Sequence, residues 1–217
     1  STLLMPVQWT TFPMEFKGGL ISNLTPLQQG TNAIGSATKL ENMEPNRRGG
    51  YTKIKGYEKF SSTEIPGEGK ILGLHVVSSG RAVVARKIDA AANTAYGSIA
   101  SGDIGKTGYY WGTGTSWNHV GTSNDVGGGK VYKATFNFDG NDKTVFVDGT
   151  NYPAIFNASG NTMTVTDASS TNISTDVQGA ELVAVFKNSV FYAKGTTVNF
   201  TVPFTAHDFT TGNGAGS

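Results

Sequence analysis

The sequence predicts an all-β fold of propeller-like antiparallel blades preceded by an extended N-terminal arm, and three observations carry that prediction. Glycine is abundant, at 29 of 217 residues, and only 15% of residues are charged, a composition rich in turns and poor in solvated helical faces. The apolar runs are short and bounded by turn residues, as strands are. One hairpin unit occurs three times. It pairs Lys70–Val77 with Gly80–Lys87 about Ser-Ser-Gly, Val131–Phe138 with Lys143–Val147 about Asp139–Asp142, and Glu181–Phe186 with Val190–Lys194 about Lys187–Ser189. Starts near 70, 131 and 181 give a loose repeat of about 50–60 residues, comparable with propeller blades carrying loop insertions.

Taken in order, Thr10–Phe16 alternates as a short strand does, after which Gly18, Gly19, Gly30, Gly35, Pro26 and Pro45 keep residues 17–50 extended and irregular. That stretch has little periodic apolar pattern to bury by itself. Residues 1–48 therefore read as a docking arm laid across a neighbour, and residues 49–217 as the β-rich domain. Strand pattern begins in RGGYTKIKGYEKF (Arg48–Phe60), expected as a basic, aromatic hairpin in which Tyr51, Lys53 and Lys55 alternate with Thr52 and Ile54 until Gly56. The stretch IDAAANTAYGSIASGDIG fits either one short helix at Ile88–Ala95 or a long insertion between strands. Gly108–Gly121 reads as strand, Gly-Thr-Gly turn and strand, and residues 157–180 as a polar loop or β-flap with one strand at Thr162–Thr166. Three blade-like units fall short of the roughly four that close a propeller, so the domain is expected to be truncated at its C-terminal end, with open edges that invite pairing.

The net charge of +1 supplies no field that would draw the chain onto nucleic acid or an acidic bilayer. The absence of cysteine excludes disulfides, thiolate metal sites and cysteine nucleophiles, and fits assembly in a reducing cytoplasm. STLLMPVQWTTF lacks the basic start of a signal peptide, and no run approaches the roughly 18 apolar residues of a membrane-spanning helix. The Asn-x-Ser/Thr triplets at Asn23, Asn157, Asn172 and Asn199 follow from the composition. His75, His119 and His207 are too far apart to form a local metal motif. Asp139, Asp142 and Asp148 stand in turn contexts, where the side chain bonds its own backbone. The DGND turn lacks the later Gly and Glu of a calcium loop, and Gly127–Lys130 lacks phosphate-loop spacing. No catalytic residue, metal or cofactor is assigned.

A family resemblance bears on both ends of the chain. The order of GGL at Gly18–Leu20, the Gly30–Ser36 turn, LENMEP at Leu40–Pro45 and RGGYTKIKGYEKF resembles the start of β-propeller-like virion proteins of tailed bacteriophages, especially cyanophages. Val183–Ser217, VAVFKNSVFYAKGTTVNFTVPFTAHDFTTGNGAGS, is similar to a blade strand pair and glycine-rich connector of the same family, while residues 85–180 match only in style. Ser123-x-Asp125-x-Gly127 also partly resembles the Asp-box of sialidase-type propellers, with Lys130 where the box has its aromatic.

What the resemblance implies is a non-enzymatic structural part of the virion, in tail, neck or tail-adaptor ring, assembled in the host bacterial cytoplasm. Its partners would be other tail or neck proteins and further copies in a ring, with no specific nucleic acid binding and no membrane insertion. On the docking-arm reading the interface residues are Gly18, Gly19, Leu20, Leu27, Arg47, Arg48 and Tyr51. The alternative is a carbohydrate- or receptor-binding β-module of a tail fibre or adhesin, with Trp111 and Trp117 stacking on sugar rings. A glycan-degrading tail enzyme would need convergent carboxylates that no spacing locates.

Overall fold

The computed structural model describes residues 20–21, 36–37, 39–46, 50–56, 58–77, 80–138 and 140–217. The chain divides into two compact units, Ser1–Glu58 and Lys59–Ser217. The strand expected at Thr10–Phe16 lies outside the described residues.

In the first unit, β1 (Met43–Pro45) pairs antiparallel with β2 (Tyr51–Lys53), Met43 opposite Lys53 and Pro45 opposite Tyr51. The Asn46 N–H donates to Gly50 O at 3.0 Å, and Gly50 sits at φ +80°, a conformation that glycine enters without steric cost. This corrects the expected Arg48–Phe60 hairpin. The strand after the glycine turn pairs with the segment just before it, which needs the least loop closure, and the described residues from Ile54 to Phe60 carry no strand. The 48/49 position thus falls inside the hairpin. Leu20 makes a parallel bridge to Ala37 in the same unit.

The second unit is all-β, as the sequence predicts, and consists of meanders in which each strand pairs with the next. Sheet 1 runs β3 (Ile71–Val76), β4 (Ala82–Lys87), β5 (Lys106–Gly112) and β6 (Trp117–Val126). Sheet 2 runs β7 (Tyr132–Phe136), β8 (Lys143–Val147), β9 (Ala154–Asn157) and β10 (Thr162–Val165). Sheet 3 runs β11 (Leu182–Phe186), β12 (Ser189–Lys194) and β13 (Thr197–Phe200), and Phe200 at the end of β13 makes an antiparallel bridge to Gly216. Each of the three expected hairpins opens one of these sheets. Helix α1 (Ala90–Ala95) occupies the expected position, capped by the Asp89 side chain, which accepts from the Ala92 N–H at 2.9 Å. In this unit the strands not read from the sequence are β9 and β13, each of four residues.

Burial explains why some strands are apolar throughout while others alternate. In β8, Phe146 faces a core shared with Val83, Ala85 and Tyr109 of sheet 1. Val145 and Val147 face the opposite way, into a core shared with Val190 and Tyr192 of sheet 3. Sheet 2 is therefore covered on both faces, and β8 reads as a continuous apolar run. Each fully buried Phe, Tyr or Val here contributes about 1.5–3 kcal/mol of transfer free energy. A third, smaller core of Ile88, Ala92, Ile99 and Tyr110 covers part of the outer face of sheet 1. Among the described residues no helix is long and apolar enough to cross a membrane.

Candidate assembly surface

Strands β11 and β12 are apolar on both faces, and β13 is apolar on its outer face through Val198 and Phe200. Val183, Val185, Val190 and Tyr192 point into the core shared with sheet 2. The other parity forms two cross-strand rows on the outer face, Leu182–Ala193–Val198 and Ala184–Phe191–Phe200, with Phe186 at the end of β11. No part of the described chain covers these side chains fully: Phe186 is 62% exposed, Leu182 53% and Val198 47%. Phe191 and Phe200 stack with ring centroids 5.4 Å apart and 26° between planes, and Phe186 meets Phe191 edge-on at 6.2 Å. Lys187, at φ +52° in the β11–β12 turn, places its ammonium 5.5 Å from the Phe186 ring centroid. Leu182, Ala184, Phe191, Ala193 and Val198 line a shallow hollow of about 360 Å³.

A second uncovered apolar face lies at the sheet 1 end. Leu74 pairs with Val84, which pairs with Tyr110. Tyr110 is buried in the small core with α1, but on edge strand β3 Leu74 and Val76 stay 65% and 67% exposed. Both ends of the three-sheet series thus present well-exposed apolar side chains, whereas on the described strands of the interior sheet Tyr132, at 38%, is the one large apolar residue that is exposed, and such uncovered faces are a feature of interaction surfaces.

Of the arm residues expected at an interface, Leu20 is exposed and Tyr51 half-buried in β2, while Gly18, Gly19, Leu27, Arg47 and Arg48 lie outside the described residues. Trp111 and Trp117 are not brought together. Trp111 packs on the sheet 1–sheet 2 core beneath the Arg81 guanidinium, 5.7 Å from the ring centroid. Trp117 lies on the opposite face, against Phe60 at 5.9 Å, its indole N–H donating to Thr63 O at 3.2 Å. The outer face of β11–β13 had a readable signal, since ELVAVF and VFYAK are apolar at both parities and such strands need two covered faces.

The histidines are dispersed. His75 reaches Val131 O at 3.1 Å through Nε2 and packs on Phe146, and burial lowers its pKa, with Lys133 adding to the effect. His119 is held between Ser98 Oγ and Thr122 Oγ1, each at 3.0 Å, and burial again lowers its pKa. His207 lies in the segment after β13. Asp142 accepts from the Asn137 side-chain amide at 2.8 Å, Asp148 lies in the buried turn after β8, and Asp139 lies outside the described residues. Among the described residues no three acidic or imidazole groups gather as a metal site would need.

No protein-family model, no curated protein and no solved structure matches this chain.

Proposed function

We propose that this chain is a non-enzymatic structural component of a tailed-phage virion, in the tail, neck or adaptor ring, acting through the association of sheet faces. The occupant of the β11–β13 outer face is the β3 end of a second copy. The observation that carries this reading is the exposed row of Leu182, Phe186 and Val198 on a sheet whose inner face is already packed. Continuity supports the choice of partner: inside the chain, the apolar face of one meander is covered by the next meander, and Leu74 with Val76 offers such a face at the opposite end. Contact between two different ends is heterologous, and such a contact repeated from copy to copy builds a ring when its rotation closes. The virion setting comes from the resemblance carried by the Gly18–Phe60 and Val183–Ser217 segments.

The test uses two variants, each blunting one end. Phe186→Asp and Leu74→Asp alter exposed side chains and should keep the wild-type circular dichroism spectrum and melt. By light scattering at micromolar concentration, wild type should form oligomers, each variant alone should be monomeric, and an equimolar mixture should stop at a dimer made through the two intact ends. A monodisperse wild-type monomer, or variants that still assemble, would refute the reading.

A further inference from the structure

On the face of sheet 2 that turns toward sheet 3, the register sets Phe136, Lys143, Asn157 and Thr162 in one cross-strand row and Val145, Ile155 and Thr164 in the next. Val145 and Ile155 are buried in the core shared with sheet 3, while Thr162 and Thr164 on edge strand β10 stay exposed. Over the end of these rows the chain after β13 forms a roof through Phe204, Thr205, Ala206 and His207. A cavity of about 370 Å³ remains between roof and sheet, room for one six-membered ring compound.

The roof is held in a strained form. The Thr205 N–H donates to Val202 O at 3.2 Å and closes a four-residue turn with Pro203 second and Phe204 third. Phe204 stands there at φ +67°, in a slot that ordinarily takes glycine or asparagine. Its surroundings fix it: the Phe204 N–H donates to Asn188 O at 2.6 Å, and the Tyr192 hydroxyl donates to Ala206 O. Core packing does not account for a phenyl ring in that slot, because the residue is 61% exposed and meets Phe138 edge-on at 6.2 Å. Strain that persists at an exposed side chain points to a contact with a ligand. Phe138 in turn lies 4.6 Å from Phe136, so one wall of the cavity is aromatic.

The rest of the lining is polar and offers no free charge. Lys143 has an interaction partner of its own, no carboxylate is among the described lining residues, and His207, whose pKa burial lowers, is neutral at pH 7. Asn157 Oδ1 accepts the Ser159 N–H at 3.0 Å, which orients the amide and leaves its NH2 group to donate. The hydroxyls of Thr162 and Thr164, two residues apart on one face of β10, can each donate and accept. An aromatic wall beside a rim of neutral donors and acceptors suits a ligand with one apolar side and one hydroxylated side.

We infer that this cavity binds a neutral hexopyranose, as a free sugar or as one unit of a glycan. A C–H face of the ring lies against Phe138 and Phe204, and the ring hydroxyls meet the Asn157 amide and the Thr162 and Thr164 hydroxyls. A purely apolar ring would leave those groups unmatched, a linear polyol would leave the aromatic wall unused, and a charged sugar would find no counter-charge. The cavity shares no lining residue with the Leu182, Phe186 and Val198 surface, so this inference and the assembly reading stand or fall separately.

The experiment titrates the full chain with the methyl glycosides of D-glucose, D-galactose and D-mannose, reading affinity by calorimetry and the bound face by saturation-transfer NMR. At least one should bind with a dissociation constant on the order of 1 mM, with saturation concentrated on the C–H protons of one ring face. Phenol, glycerol and sodium D-glucuronate are controls for the wall, the hydroxyls and the charge. Phe204→Gly relieves the positive φ, so it should melt at or above the wild-type temperature and yet weaken binding about tenfold. The double variant Thr162→Val, Thr164→Val changes exposed positions, and should keep the melt while weakening binding about fivefold. Silence from all three glycosides, a control binding as tightly as the best of them, or unchanged affinity in either variant would overturn the inference. So would a Phe204→Gly melt lowered by more than about 5 °C, which would show that the ring serves packing. A trisaccharide that binds more tightly than its methyl glycoside would identify a glycan as the source, and equal binding a free sugar.

Discussion

Asp148 and Asn151 are joined twice: the Asn151 backbone N–H donates to Asp148 Oδ1 at 2.8 Å and its side-chain amide donates to Oδ2 at 2.8 Å. The pair also ties sheet 2 to sheet 1. The Thr107 hydroxyl of β5 donates to Asp148 Oδ2 at 3.3 Å, and Asn151 Oδ1 accepts the Asp125 N–H of β6 at 2.8 Å. Both residues are buried, so every partner removed leaves a polar group without water.

Asp148→Ala should accordingly destabilise the second unit by about 2–4 kcal/mol, and Thr107→Val by about 1 kcal/mol. Urea denaturation measures both, and the double variant should cost less than the sum because the two groups share a bond. A loss under about 0.5 kcal/mol for Asp148→Ala would show that the network contributes nothing to stability.

Gly69 and Gly97 should respond oppositely to alanine. A Cβ at Gly69 would lie 1.8 Å from the Lys87 carbonyl oxygen, part of the backbone that pairs β4 with the segment leading into β3, whereas a Cβ at Gly97 meets nothing within 4 Å. Gly69→Ala should lower the melting temperature of the chain sharply, by about 3 kcal/mol or more of stability, and Gly97→Ala should stay within about 0.5 kcal/mol of wild type.

Stability should fall as the pH drops from about 7 through the ordinary histidine value near 6.5 and below. His75, His119 and His207 all have lowered pKa values, chiefly from burial, so within that window the unfolded chain binds protons that the folded chain does not. Asp89, Asp103 and Asp208, each held low by hydrogen bonds, add a further loss once the pH falls through the carboxylate range. Urea midpoints taken between pH 8 and pH 5 check the first part. His119→Gln should flatten the slope, and a midpoint that rises on acidification would contradict the assignment.

A chain beginning at Lys59 should fold cooperatively with the near-ultraviolet signature of sheets 1 to 3, since it forms a compact unit of its own. Deleting residues 1–48 instead leaves β2 without its partner β1, so the extra residues of that longer fragment should be protease-sensitive. Limited proteolysis distinguishes the two fragments.

The hairpins were legible because their signals are local. Short apolar runs such as those in GRAVVARK and KTVFV and turn residues such as Lys187-Asn188 act within a few residues, and the structure places β4, β8 and the β11–β12 turn where those signals stand. Harder to read was parity across a turn. Trp117 pairs with Gly112, the residue after Trp111, so the two tryptophans that the glycan-binding alternative put together stand on opposite faces of sheet 1. The partner of Tyr51–Lys53 was likewise misjudged, because the glycine turn, not the basic pattern after it, chose the pairing.

By itself, then, the sequence determined the all-β class and the three hairpins, since strand and turn signals follow from neighbouring residues, while the structure chose the helix over a strandless insertion at Ala90–Ala95. Only the tertiary structure decided which apolar face stays uncovered, because Val183 and Leu182 are equally apolar and differ only in whether another sheet lies over them. It also decided that Lys143 and His207 share one cavity. Nothing local joins β8 to the segment after β13; sheet packing and the strained turn at Phe204 bring them together.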